Sequence, residues 1–258
     1  MASIDGKQSK PPFLSSNKKQ IISDDELANF YISLQEFYRE LTYDAVQVQK
    51  EEIYYKKVAY LSRLFSKLKG LEILHSERIE NSPAMIYTSN HIGSYDQFYI
   101  SSILGQCPLH YLVKDKVTKW LVRWNLIYKP TGVVVVEIDN FRSWSKAKSK
   151  PIQYLLNGSK VFIFAEGSRR GESNMGDFNP GIAQVAQEAG VSVGTLAMKN
   201  TSGLFSGKPV ICVGETFAIS PRENLKEATQ RIKSGVLNAY DEILQHENKN
   251  QQGGDFPL

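Results

Sequence analysis

From Gly70 to Gly214 the chain alternates short apolar runs with stretches of helical spacing, and this alternation restricts its fold more than any other feature. The runs are Leu71–Leu74, Ala84–Thr88, His110–Val113, Gly132–Ile138, Lys160–Ala165, Ser192–Met198 and Val210–Gly214. Helical spacing fills the gaps near 96–104, 115–127, 143–157 and 179–189 and returns at 222–246. Short apolar runs separated by helices predict an α/β domain, here 71–246, built on a mixed and mainly parallel sheet. Val133-Val134-Val135-Val136 has no polar face, as expected of a strand covered by helices on both sides. Of the 258 residues, 41% are hydrophobic, enough for one large core. Residues 247–258 are polar and Gly-containing, and read as a frayed tail.

The N-terminal quarter has a different texture. Residues 1–20 lack periodicity and read as a disordered lead. Ser23 to Lys69 contains neither Gly nor Pro, which predicts a helical hairpin over 21–70. Ser23 and Glu26 form a capping-box pair at its start. Leu27, Phe30, Tyr31, Leu34, Phe37, Tyr38 and Leu41 then recur at helical steps. A second helix is expected from about Glu51 to Lys69, closed by Gly70. Tyr54, Val58, Leu61, Phe65 and Leu68 form its expected apolar side, with Lys56, Arg63 and Lys67 opposite. Such a helix either lies on an anionic membrane surface or packs on the domain with its bases in water.

Several function classes are excluded or left without support. No apolar run approaches the ~18 residues of a membrane span, and Met1 to Gln20 has no signal-type apolar core. Cys107 and Cys212 are far apart, and neither a disulfide framework nor metal-ligand spacing is present. A cytoplasmic setting follows as the expectation. Net charge is +4, too mild for a nucleic-acid partner but compatible with an anionic one. Nucleotide-type phosphate loops and a nucleophile-elbow serine are absent. His75, His110 and His246 stand apart from any motif and read as surface or packing residues; Trp120 and Trp124 read as core or interfacial anchors.

Two stretches carry chemistry. Thr88-Ser89-Asn90-His91-Ile92-Gly93-Ser94-Tyr95-Asp96 follows an apolar run and precedes a helix, so His91 lies in a loop and Asp96 near the first helical turn. From the loop His91 can fold back and donate one ring N–H to Asp96, leaving the other nitrogen to take a proton as a general base does. By itself the spacing more often marks a simple turn with a helix-terminal carboxylate and no chemistry. The second stretch, Glu166-Gly167-Ser168-Arg169-Arg170-Gly171, ends another apolar run. Close backbone approach at glycine and bidentate arginines make an anion clamp, although the run alone also reads as a solvated basic turn. Both stretches follow strands, and in α/β sheets ligands gather at one end of the strands.

Asn90-His91-x4-Asp96, followed by Phe164-Ala165-Glu166-Gly167-Ser168-Arg169 and Phe178-Asn179-Pro180-Gly181, resembles the lysophospholipid and glycerol-phosphate acyltransferase superfamily over roughly Leu71 to Ile219. The resemblance implies acyl transfer from a thioester (acyl-CoA or acyl carrier protein), or an acyl phosphate, to a hydroxyl of a lysophosphatidate-like lipid. It implies His91 as the base, Asp96 as its orienter, and Asn90, Glu166, Gly167, Ser168, Arg169 and Arg170 around the acceptor. It implies no metal and no resident cofactor. The expected partners are a lipid with an anionic head group, the acyl donor and an anionic membrane surface, with peripheral association.

The chain departs from the family pattern in three places. Ala165 and Ser168 replace proline and threonine, Ile138 follows Glu137 where the family carries an arginine, and Gly190-Val191-Ser192-Val193 lacks a proline. Arg142, one turn beyond Ile138, is the candidate replacement for that arginine. A glycolipid or other acceptor, a catalytically silent lipid-binding module in the same fold, and a hydrolase passing the acyl group to water are the alternatives.

Overall fold

The computed structural model describes residues 23–35 in part, 45–80, 82, 84–105, 108–114, 134–136, 144–145, 147–172, 174–203 and 205–252. The lead at 1–20, Phe37 to Leu41, the helix expected at 115–127 with Trp120 and Trp124, Cys107, Ile138 and Arg142 lie outside these residues.

All seven apolar runs are strands: β1 (Glu72–Leu74), β2 (Met85–Thr88), β3 (Leu109–Lys114), β4 (Val134–Val136), β5 (Lys160–Phe162), β6 (Val193–Lys199) and β7 (Val210–Phe217). They form one sheet in the order β1-β7-β6-β2-β5-β3-β4. Every pairing is parallel except β6 with β7. Consequently β1 and β7 run against the other five, and β2 lies centrally between β6 and β5. All four β2 residues are buried, with Ile86 facing one layer and Met85 and Tyr87 the other, as the two-residue strand period requires.

Helices cover both faces. On one, α1 (Ala45–Leu68) and α2 (Asp96–Leu104) enclose Tyr55, Ala59, Tyr99, Ile100, Ile103 and Leu104 against the sheet. On the other lie α3 (Ser149–Leu156), α4 (Gly181–Ala189) and α5 (Leu225–Gln252), over Ile152, Ile182, Val185, Ile232 and Val236. Two of the isolated histidines behave as packing residues. His110 stacks on Tyr154 at 3.5 Å, and His246 Nε2 meets Glu72 at 2.8 Å.

At the N-terminus the capping box forms: Ser23 N–H donates to Glu26 (2.9 Å), and Glu26 N–H to Ser23 Oγ (3.2 Å). Gly70 closes α1 at φ +65°, with Leu71 N–H donating to Ser66 O and Gly70 N–H to Lys67 O. The buried side of α1 differs from the expected one. Tyr55, Ala59, Ser62 and Ser66 are buried, with Val58 and Phe65 beside them, while Leu61 and Leu68 are 60% and 79% exposed. Ranking residues by size misplaces this face because Ala59, Ser62 and Ser66 are small. Small side chains let α1 approach α2 closely, and a Cβ on Gly105 would meet that of Ala59 at 2.7 Å. Tyr60, Leu61, Leu64 and Leu68 are left as an exposed apolar stripe on the far side of α1.

The expected tail is also corrected. α5 continues through Glu247 to Gln252, past the predicted end at 246. Glu247 pairs with Lys199 of β6, and Asn250 bonds His246 at 3.0 Å. The polar composition there is that of an exposed helix, and from Glu247 the chain meets no glycine before Gly253.

Candidate active site

The loop leaving β2 is held from three directions. Asn90, 1% exposed, accepts Met198 N–H (2.8 Å) and donates to Met198 O (2.9 Å), tying the loop to β6. Glu166 accepts His91 N–H through Oε1 and Gly176 N–H through Oε2, both at 2.9 Å. Arg170 N–H donates to His91 O at 3.1 Å. The two stretches singled out in the sequence therefore form one site at the C-terminal ends of adjacent parallel strands β2 and β5.

His91 Nδ1 lies 2.8 Å from Asp96 Oδ2. Asp96, wholly buried, accepts three further hydrogen bonds: Ile92 and Gly93 N–H at 2.8 and 2.9 Å on Oδ2, and Thr201 Oγ1 at 2.7 Å on Oδ1. Four donors around a buried carboxylate are what its charge needs in the absence of water. With Nδ1–H committed to Asp96, Nε2 is the imidazole nitrogen left to accept a proton. The ring stacks on Phe164 (centroids 3.9 Å apart, 18° between planes) and is 15% exposed, so it is fixed yet reachable. Gly93 is needed at its position because a Cβ there would lie 2.5 Å from Ser202 Cα.

The roles expected for the polar residues divide. Asn90 and Glu166 use their side chains on backbone groups and so brace the loops. Ser168, Arg169 and Arg170 are exposed, and neither arginine forms an ion pair among the described residues. Arg170 passes over Gly176, whose Cβ would lie 3.1 Å from Arg170 Nε. Asn179 caps α4 by accepting Gly181 N–H at 2.9 Å, and Phe178 is buried behind the turn.

Thr201 and the stacking role of Phe164 are not apparent from the sequence. Thr201 is separated from Asp96 by 105 residues and belongs to no motif; Phe164 belongs to the second motif, but nothing there says that it supports the histidine.

Residues 70–199 match the Acyltransferase family, half of the chain. The chain is 27% identical over 164 residues to a probable 1-acyl-sn-glycerol-3-phosphate acyltransferase of Mycoplasma pneumoniae, covering 61% of this chain and 60% of that protein. It is 27% identical over 140 residues to the 1-acyl-sn-glycerol-3-phosphate acyltransferase of Borreliella burgdorferi, covering 54% and 55%. The chain thus spans less than two thirds of the length of these relatives. Its fold matches the crystal structure of the 1-acyl-sn-glycerophosphate acyltransferase PlsC from Thermotoga maritima, with a TM-score of 0.59 at 17% identity over 83% of this chain and 88% of that one. The ordered motifs join in one site within the matched region, and the chain belongs to the acyltransferase family.

Proposed function

We propose that the protein transfers a fatty acyl group from a thioester to the hydroxyl of a lysophosphatidate-like lipid, with His91 as general base. The observation that carries this reading is the His91–Asp96 pair next to the arginine-bearing turn, joined through Arg170 N–H and His91 O. The names of the Mycoplasma and Borreliella relatives support the acceptor class. His91 Nε2 takes the hydroxyl proton as the oxygen attacks the thioester carbonyl carbon. The tetrahedral intermediate collapses, the C–S bond breaks, and the proton on His91 passes to the leaving thiolate. Asp96 holds the imidazole in the required tautomer throughout. Arg169 and Arg170 bind the acceptor phosphate by charge-assisted hydrogen bonds.

The lipid is met at a membrane surface in this reading. No helix among the described residues is long and apolar enough to cross a membrane. α1 instead presents Tyr60, Leu61, Leu64 and Leu68 outward, flanked by Lys57, Arg63 and Lys67. This combination suits reversible docking on an anionic bilayer. Phe65 of the same helix stacks on Tyr95 (centroids 5.8 Å apart), which joins the docking helix to the His91 loop.

The test is product formation from labelled acyl-CoA and acyl carrier protein with lysophosphatidate. His91→Ala should lose about 10²-fold or more in kcat. Near-normal turnover by that variant overturns the mechanism, and thioester loss without any acceptor assigns a hydrolase. Ile138 in place of an arginine favours a second acceptor class, a glycolipid hydroxyl, which belongs in the same assay alongside Arg169→Ala and Arg142→Ala.

A further inference from the structure

At the edge of the sheet, three strands from β2, donor groups of three kinds converge. His75 follows β1, Cys212 lies on β7 opposite Leu74, and Glu242 reaches down from α5. One ligand atom of each lies within 4.8 Å of the other two. We propose that His75, Cys212 and Glu242 form a binding site for a thiophilic divalent cation, zinc being the best fit.

Four observations support the assignment. First, Glu242 Oε2 is crowded: His75 Nε2 lies at 3.1 Å, Cys212 Sγ at 3.3 Å and Arg78 Nη1 at 3.0 Å. A carboxylate oxygen has roughly two lone-pair positions, so three partners exceed what paired hydrogen bonds use. Two of the three, His75 Nε2 and Cys212 Sγ, are atoms able to ligate a metal together with that oxygen. Second, the left-handed conformation of His75 at φ 57°, ψ 41°, one that histidine takes more readily than most non-glycine residues, turns the chain at the end of β1 where its ring meets Glu242. Third, its Nδ1 lies 3.3 Å from Glu77 Oε1, the carboxylate–histidine arrangement that orients an imidazole toward a metal. Fourth, the charges close: the Cys212 thiolate with the Glu242 and Glu77 carboxylates balances a dication plus Arg78, whose Nη1 lies 3.0 and 3.3 Å from the two Glu242 oxygens.

The donor set of one sulfur, one nitrogen and one oxygen selects zinc over magnesium or calcium, which take oxygen alone. Bonds of about 2.0–2.3 Å place tetrahedral ligand atoms roughly 3.2–3.8 Å apart. Two of the three separations already fall near that range, and movement of about 1 Å completes it. Cys212 is fully buried, but the His75 and Glu242 side chains are 40% and 34% exposed, which gives the ion a route in and leaves a fourth position for water. Bound metal would fasten β1 and α5 to β7, and the thiol proton would leave on binding. The site is separate from His91 and independent of the proposed acyl transfer.

The experiment is a cobalt titration of the metal-stripped full chain. One equivalent of Co²⁺ should produce a thiolate-to-cobalt charge-transfer band that zinc displaces. The band should persist in Cys107→Ser and vanish in Cys212→Ser. His75→Asn, which tolerates the left-handed backbone at a half-exposed position, and Glu77→Gln should each weaken binding about 10- to 100-fold. Zinc should raise the Tm of the native chain but not that of His75→Asn. Absence of the band at tenfold excess cobalt, its survival in Cys212→Ser, or no zinc-dependent Tm change in the native chain would each overturn the site.

Discussion

Replacing Thr201 by valine tests how much of the His91–Asp96 geometry depends on a residue outside both motifs. Valine keeps the shape but removes the hydroxyl that donates to Asp96 Oδ1 at 2.7 Å, in a position with no exposed surface. A hydrogen bond to a charged group contributes about 1.5–3 kcal/mol, and a buried partner left unsatisfied loses that amount. At about 2–4 °C per kcal/mol for a chain of this size, the Tm should fall by roughly 3–12 °C. Asp96 Oδ2 keeps its His91, Ile92 and Gly93 contacts, so the base survives in a looser frame. A loss of about 1 kcal/mol in the reacting geometry lowers kcat about fivefold, while KM for the lipid should stay constant because Thr201 lies behind the carboxylate. Differential scanning fluorimetry and acyl-transfer kinetics read both effects. Thr201→Ser retains the hydroxyl and should restore kcat, which a purely packing role would not explain. A Thr201→Val protein with unchanged Tm and kcat refutes the reasoning.

Gly93→Ala places a Cβ 2.5 Å from the backbone of Ser202 and should destabilise by about 1–3 kcal/mol with loss of activity; native-like melting and turnover would contradict the close packing. Changing Leu61, Leu64 and Leu68 of α1 together to serine should abolish flotation with anionic vesicles without lowering the Tm, since all three are exposed; unchanged flotation would remove α1 from membrane docking. Glu72 is held below its ordinary value of 4.5, first by its hydrogen bond from Lys208 and then by His246. Its stabilising effect is therefore present above pH 4.5 and is lost as pH falls through the lowered value. Glu72→Gln should flatten the acid limb of the stability profile below pH 4.5, and an unaltered limb would show that Glu72 does not contribute. Burial, followed by the hydrogen bond to Glu242, pushes the Cys212 thiol up to about 12. In the metal-stripped protein at neutral pH, iodoacetamide should leave it unmodified until the chain unfolds, as peptide mapping would show.

The sheet is readable because its central strands β2, β5 and β6 bury both faces and so carry continuous apolar runs. Val193–Lys199, for example, is buried at its first six positions. The two motifs were readable because their chemistry needs particular residues at short spacing. What escaped depends on contacts across the fold. The buried side of α1 is lined by Ala59, Ser62 and Ser66, whose value lies in small size, and apolar periodicity does not register size. Thr201 meets Asp96 only after β6 has been placed beside β2. Asn90 and Glu166 appear in the motifs, but their bonds to the backbone of Met198, His91 and Gly176 could not be read there, since spacing shows that a side chain matters without showing what it touches. His75 and Cys212 approach one another only because β1 pairs with a strand far along the chain.

The amide of Asn90 has a consequence for how the chain leaves the sheet. Its oxygen and nitrogen take the places of a peptide carbonyl and N–H against Met198, two residues beyond the last β2 residue, Thr88. The side chain acts as a substitute peptide group and adds one rung to the ladder with β6. The main chain is thereby released to turn at His91 while the strand end stays paired. Only a carboxamide offers a donor and an acceptor at that spacing. Aspartate would set oxygen against the carbonyl oxygen of Met198, and serine would reach a single group. An asparagine directly before the histidine thus determines where the strand stops and the His91 loop begins.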